Sequence, residues 1–268
     1  MDLIRFGEDY RNHFDPRAYV SFYKAEGGKL EDYNEFSLKG FHEFWSTKLA
    51  KKNQRILEFG GGPSIFDLIP AAPFAEEIIF AEYSEKNREE VVKWLQKSPE
   101  SHNWLPYFKF AVQTLEGNNS DEEVTIRESE LRNKIKHILP CDIGWEDPVK
   151  WPSSWSSQLA TFDVVSTSLC LEVSVTSREG YRQAIAKLKR YLKPSGHIVM
   201  YGVLEETYYM VGQERFHCFP LSKELIEETL TSEGFKIHDD MKLFSHEIRE
   251  NNWDGQEVFF VSAVLQDD

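Results

Sequence analysis

Three acidic side chains stand at or just past the ends of three apolar runs, and the first of these runs closes in glycine. Leu57-Glu58-Phe59-Gly60-Gly61-Gly62-Pro63 reads as a buried strand entering a tight turn. Glycines at such a turn let the backbone approach a ligand, and an acidic residue about 20 positions later can accept both ribose hydroxyls. Glu82 lies 22 residues after Gly60 and ends the run Glu77-Ile78-Ile79-Phe80-Ala81. In Cys141-Asp142-Ile143 the acid can accept a hydrogen bond from an exocyclic amine while Ile143 packs on a purine face. The turn departs from G-x-G-x-x-G, with Phe66 where a small residue belongs, and Glu58 would repel phosphate. A dinucleotide is therefore disfavoured. A nucleoside with a positive charge and no phosphate fits better, and S-adenosylmethionine is such a molecule. Taken singly, the loop also reads as a plain strand-to-helix connection and Asp142 as a turn or N-cap residue.

The elements that must hold these residues follow from periodicity. Before residue 50 the aromatics recur at helical spacing: Tyr19, Phe22 and Tyr23 on one face, Phe41, Phe44 and Trp45 on another. A helix is predicted from near Ser64, another over Asn87–Leu95, and others over about Gly180–Tyr191 and Lys223–Ser232. Strands are predicted at 55–59, 77–82, 137–142, 162–166 and 197–201, with two late ones at 235–237 and 258–264. Tyr107 to Val112 is a further apolar run, Asn118 to Lys136 a charged loop plus helix, and Pro148 to Ser157 a loop. Strands alternating with helices predict an α/β domain with a parallel sheet covered on both faces, and the late pair predicts an antiparallel edge.

Composition bounds the class. The chain has 268 residues, 41% hydrophobic and 14% aromatic, which suits a folded domain and excludes a disordered one. Its 45 acidic and 31 basic side chains give a net charge of −14, which argues against a grip on nucleic acid. Residues 202–268 hold 15 acidic and 5 basic side chains, most of that excess. Cys141, Cys170 and Cys218 are odd in number and widely spaced, so neither a disulfide framework nor a zinc site is expected. No HxH or HxxxH pair suggests a metal. Met1-Asp2-Leu3-Ile4-Arg5 does not read as a signal peptide, and no membrane span is expected. The expected form is a cytosolic monomer.

A longer set of segments is more specific than any one loop: Tyr10, His13–Tyr19, Gly60–Phe66, Glu82–Asn87, Trp94–Lys97, Cys141–Ile143, Leu169–Glu172 and Tyr208–Gly212. In these the chain resembles the small-molecule amine N-methyltransferases: the nicotinamide, phenylethanolamine and indolethylamine enzymes. The resemblance implies a Rossmann-like methyltransferase fold. Its seven-stranded, mostly parallel sheet would end in an antiparallel pair under an N-terminal helical cap. Residues 1–268 would form one domain, with 1–50 as lid, 51–201 as cofactor core and 202–268 as the substrate side. It also implies S-adenosylmethionine as cofactor. Tyr10 and Tyr19 would cover its methionine end, with Phe66 replacing the usual Tyr. Gly60 and Gly61 would line its sulfonium, and Glu82 would hold the ribose, with Asn87 nearby. Tyr83, Asp142 and Ile143 would hold the adenine, and Ser168 the amino-acid portion.

On the substrate side the nicotinamide enzymes carry an Asp where this chain has Gly202. The segment Gly202–Tyr209 resembles instead the phenylethanolamine enzyme. Glu206 and Glu172 then match carboxylates near the amine, Tyr209 a ring against the aromatic group, Asp254 a third acid and Lys39 a basic residue at the entrance. An amine must be neutral when it attacks a methyl group and is cationic afterwards, so Glu206 and Glu172 could take its proton and stabilise the product. The expected function is N-methylation of a small arylalkylamine. Two alternatives remain, a pyridine substrate and a silent methyltransferase fold acting as a binding partner. Apart from the resemblance, Glu205 and Glu206 read as an exposed helix start.

Overall fold

The computed structural model describes residues 3–26, 29–155, 161–245 and 253–266. Strand β1 (Ile4–Arg5) leads into helices α1 (Asp9–His13) and α2 (Pro16–Val20). The Asp15 side chain accepts from the N–H groups of Arg17 and Ala18, and Pro16 fills the first turn, so α2 starts where residue chemistry favours it. A ribbon of β2 (Ala25–Glu26) and β3 (Lys29–Leu30) precedes α3 (Asp32–Glu43), which continues as a π-helix over Phe44–Leu49. The core then alternates: β4 (Gln54–Phe59), β5 (Ala75–Glu82), α4 (Glu85–Leu95), α5 (Leu105–Lys109), α6 (Asp121–Lys134), β6 (Ile135–Pro140), β7 (Phe162–Ser168), α7 (Leu171–Ser174), α8 (Arg178–Lys189) and β8 (Leu192–Leu204). A hairpin of β9 (Tyr208–Val211) and β10 (Glu214–His217), helix α9 (Lys223–Ser232), and strands β11 (Phe235–Ile237), β12 (Lys242–Phe244) and β13 (Glu257–Leu265) complete the chain.

The main sheet runs β11-β13-β8-β7-β4-β5-β6, with β12 on β13 as an eighth strand among the described residues. The five strands from β6 to β8 are parallel, and β13 is antiparallel to both β8 and β11. The expected α/β class and seven-strand path hold. The chain leaves β4 toward β5 and β6, then returns to the other side with β7. That reversal between β4 and β7 opens a crevice beyond their carboxyl ends, where open α/β sheets bind ligands.

Alternation along the strands feeds two apolar layers. Ile56, Ile78 and Val164 pack with α3, α5 and α6; Leu57, Ile79 and Val165 pack with α8 and α9. Two expectations need correction. Only a short 3-10 turn, Phe66–Leu68, forms where a helix was predicted from Ser64. Helix α2 stops at Val20, so Phe22 and Tyr23 lie beyond it rather than on its face. The late strands β11 and β13 pair antiparallel at the edge, as expected, with β12 in the connection between them.

A second sheet, β1-β10-β9, joins the chain's beginning to the segment after β8. Gly212, at φ +60°, opens the two-residue turn between β9 and β10. Helix α3 lies close on the main sheet because Gly40 has no side chain: a Cβ there would stand 2.6 Å from the Phe260 ring of β13. Gly40→Ala should therefore cost stability despite Ala's better helix propensity, by about 1–2 kcal/mol net from overpacking. Urea denaturation would show it as a lower midpoint at unchanged slope.

Candidate active site

The turn after β4 is shaped by what surrounds it. Gly60 has φ +74°, and a Cβ on it would lie 2.0 Å from the Cys170 Sγ. At Gly61 a Cβ would meet the Phe80 ring at 2.4 Å. No other residue fits at either position without displacing its neighbours. Behind the turn the buried Glu82 carboxylate accepts hydrogen bonds from the Gly62 N–H (3.0 Å), the Ser84 N–H (2.7 Å) and the Asn87 Nδ2 (2.9 Å). Burial raises its pKa, and these donors, with Arg88 nearby, oppose the shift. Asn87 also reaches the Tyr10 hydroxyl at 3.3 Å, tying the helical cap to the cofactor core.

These residues wall a cavity of about 590 Å³ that runs along the carboxyl ends of β6, β5, β4, β7 and β8. At the β6 end stand Tyr83, Asp142 and Ile143. Asp142 Oδ1 accepts from the Gly144 N–H at 2.8 Å, and the Lys187 ammonium pins the same loop by donating to the Ile143 carbonyl. Arg11 of the cap lies 4.2 Å over the Tyr83 ring and 3.8 Å from Asp142. Tyr10, Tyr19 and Phe66 line the cavity from the cap and the turn, and Ser168 lines it from the end of β7.

At the β8 end stand two more buried carboxylates. Glu172 accepts weakly from the Val203 N–H at 3.4 Å; Glu206 accepts from the Cys218 thiol at 3.0 Å. Desolvation lifts Glu172 to about 7. It lifts Glu206 to about 8, with the Cys218 thiol opposing and the charges of Glu172 and Asp254 adding to the rise. Leu169 and Glu205, which follow β7 and β8, both adopt positive φ, so each strand turns sharply as it reaches the site. Tyr209 lines the cavity from β9 and stacks on Phe216.

The structure thus brings together Tyr10, Tyr19, Gly60, Gly61, Phe66, Glu82, Tyr83, Asp142, Ile143, Ser168, Glu172, Glu206 and Tyr209. Three expected residues lie elsewhere. Asn87 stands behind Glu82 and acts through it. Asp254 does not face the cavity; it accepts from the N–H groups of Thr207 (2.8 Å) and Tyr208 (3.1 Å) and fixes the loop that carries Glu206. Lys39 points outward from α3 and pairs with Glu35 one turn back at 3.1 Å, which corrects its expected place at an entrance. Glu206 is buried rather than part of an exposed helix start. Sequence reasoning missed Tyr33, Tyr201 and Trp253, which line the cavity, and Asp67, whose signal was an acid inside the apolar run Ile65-Phe66-Asp67-Leu68-Ile69.

Residues 4–265 match the NNMT/PNMT/TEMT family. The chain belongs to that family. Indolethylamine N-methyltransferase of Oryctolagus cuniculus is 32% identical over 86% of each chain. Human nicotinamide N-methyltransferase is 30% identical over 86% of this chain and 85% of its own. Human phenylethanolamine N-methyltransferase is 29% identical over 84% and 79%. In fold, the magnesium protoporphyrin IX methyltransferase of Synechocystis PCC 6803 aligns with a TM-score of 0.58 at 11% identity, over 96% of this chain and 93% of that one. This family member is an S-adenosylmethionine-dependent N-methyltransferase. Its own residues fit that cofactor. They supply a cradle that any Cβ would fill, a bonded acid for ribose hydroxyls, the buried cavity-lining Ser168, and the buried cavity-lining hydroxyl of Ser64, which has no hydrogen-bond partner among the described residues.

The raised pKa values of Glu172 and Glu206 have a consequence for the ligand-free protein. Both are protonated in the fold between about pH 5 and their folded values near 7 and 8, yet ionised when the chain unfolds. The unfolded state then binds fewer protons, so stability falls as pH rises through that window. Thermal unfolding from pH 5 to 8 should show the decline. A Glu172→Gln/Glu206→Gln variant should lose that share of the slope.

Proposed function

We propose that the enzyme methylates the nitrogen of a small arylalkylamine of the phenylethanolamine type. The observation that carries this reading is the pairing of two buried carboxylates, Glu172 and Glu206, with aromatic walls from Tyr201, Tyr209 and Trp253 at one end of the cavity. A carboxylate there neutralises an ammonium that water cannot reach, and flat rings beside it suit an aryl group.

S-adenosylmethionine supplies, when bound, a methyl group on a positively charged sulfur. Gly60, Gly61, Glu82, Asp142 and Ile143 hold it, under Tyr10 and Tyr19. The chain's own residues manage the amine. An arriving ammonium favours the ionised form of Glu206, which burial alone would suppress. Glu206 takes the proton and leaves the nitrogen's lone pair free, with Glu172 beside it to stabilise the ammonium product. Cys218 and Asp254 hold Glu206 and its loop in position.

Gly202 speaks against a pyridine substrate. A Cβ at this position would stand 2.7 Å from the Phe259 ring and 2.9 Å from the Glu172 Oε1, so Glu172 takes the space where the resemblance puts the nicotinamide enzymes' Asp. Cys141, Cys170 and Cys218 are free and buried, which supports a reducing, cytosolic setting. Among the described residues no helix is long and apolar enough to cross a membrane.

Incubation with S-adenosylmethionine and phenylethylamine, phenylethanolamine, tryptamine or nicotinamide, followed by S-adenosylhomocysteine release, tests the assignment. Turnover of the arylalkylamines and not of nicotinamide is expected, with kcat/KM rising between about pH 7 and 8 as Glu206 ionises. Glu206→Gln should lower kcat/KM by about 10²–10⁴ and leave S-adenosylhomocysteine affinity unchanged. Turnover of nicotinamide alone would overturn the substrate class.

A further inference from the structure

Asp67 is a buried acid that lines the cavity and matches no residue assigned above. It sits in the turn Phe66–Leu68, three residues beyond Ser64, and its neighbour across the crevice is Ser168 at the end of β7. The Ser168 hydroxyl lies beside the Asp67 carboxylate and eases its ionisation. Ser64 is buried, lines the cavity and has no hydrogen-bond partner among the described residues. Behind Asp67 lies Glu58 of β4, wholly enclosed. Burial and the Asp67 charge push Glu58 well above the carboxylate range, so it stays protonated, while Asp67 reaches only about 6. Of this pair Asp67 is the more readily ionised, and it is the member that faces the cavity.

The order of the strands says which part of a ligand meets that charge. Glu82 follows β5 and Asp142 follows β6, so an adenosine held by both lies over that half of the sheet. The amino-acid end must then extend toward β4 and β7, where Ser64, Asp67 and Ser168 converge, while Glu172 and Glu206 stand farther on, beside β8. We propose that the Asp67 carboxylate, with the hydroxyls of Ser64 and Ser168, binds the α-ammonium of the methyl donor's amino-acid end. The inference deepens the cofactor assignment and rests on it. Asp67 is a binding residue that fixes the position of the sulfur relative to Glu206, and it takes no proton from the substrate.

Calorimetry with two nucleosides isolates the role. S-adenosylhomocysteine carries the ammonium; 5′-methylthioadenosine keeps adenosine and sulfur and lacks the amino acid. Asp67→Asn should weaken S-adenosylhomocysteine roughly 10- to 100-fold, the worth of a hydrogen bond to a charged group. It should leave methylthioadenosine within about twofold, which also shows that the variant is folded. Asp67→Glu should recover part of the loss. Equal weakening of both nucleosides, or of neither, would overturn the assignment. Failure of the wild-type protein to bind S-adenosylhomocysteine would instead remove the cofactor reading and this inference with it.

Discussion

Everything about this site follows from placing Glu58, Asp67, Glu82, Glu172 and Glu206 out of water along one edge of a sheet. A buried carboxylate keeps its charge only as far as hydrogen-bond donors replace the lost solvent. Here the supply of donors is graded. Glu82 has three, and its pKa is raised without a large departure. Asp67 faces the N–H groups of its own turn and rises to about 6. Glu172, leaning on backbone N–H groups, and Glu206, on one thiol, rise further, to about 7 and about 8, and Glu58, wholly enclosed, is also pushed well above the carboxylate range. The gradient divides the labour. The best-supported acid can hold neutral ribose hydroxyls, and the less supported ones wait for a cation to complete them.

That arrangement also explains the run of three glycines, Gly60 to Gly62, in the turn after β4. Gly60 and Gly61 bring the backbone against Cys170 and Phe80, and the Gly62 N–H reaches Glu82 only because the turn is so tight. The close fit lets a single segment line the crevice and also bond the acid behind it. Asn87 then links Glu82 to Tyr10, so the position of the cap depends on the same carboxylate.

Much of this was legible in the sequence because it is local. A strand, a glycine turn and an acid at the next strand end occur at fixed spacing, and Gly60, Glu82 and Asp142 stand where that spacing puts them. The rest depends on tertiary packing. Lys39 has the right charge for an entrance, but its direction is set by which face of α3 meets β13, and that is decided by Gly40. Tyr201 sits inside a strand whose alternation says only which layer it faces, not that the layer opens onto a cavity. Asp67 looks like an incidental polar residue in an apolar run until β7 brings Ser168 beside it. Asp254 shows the reverse limit: resemblance located it near the substrate, and the structure gives its Oδ1 to the backbone N–H groups of Thr207 and Tyr208 and its Oδ2 to the Thr207 hydroxyl.

The small β1-β10-β9 sheet joins functions that the sequence keeps two hundred residues apart. In the proposed assignment Tyr209 belongs to the substrate wall and Tyr10 to the cofactor cover, and both pack on Phe216 of β10. Phe14 fills the same cluster, and Arg5 reaches Glu214 at 2.8 Å to fasten β1 along β10. A displacement of the cap must therefore carry the substrate wall with it or break this aromatic cluster. The cover and the wall are one mechanical unit, so the surface that closes over the methyl donor is also the surface that shapes the amine site. The acidic excess of the C-terminal quarter fits the same picture. Glu214 is spent on fastening that unit and Asp254 on the loop beside it, while Glu206 faces the cavity.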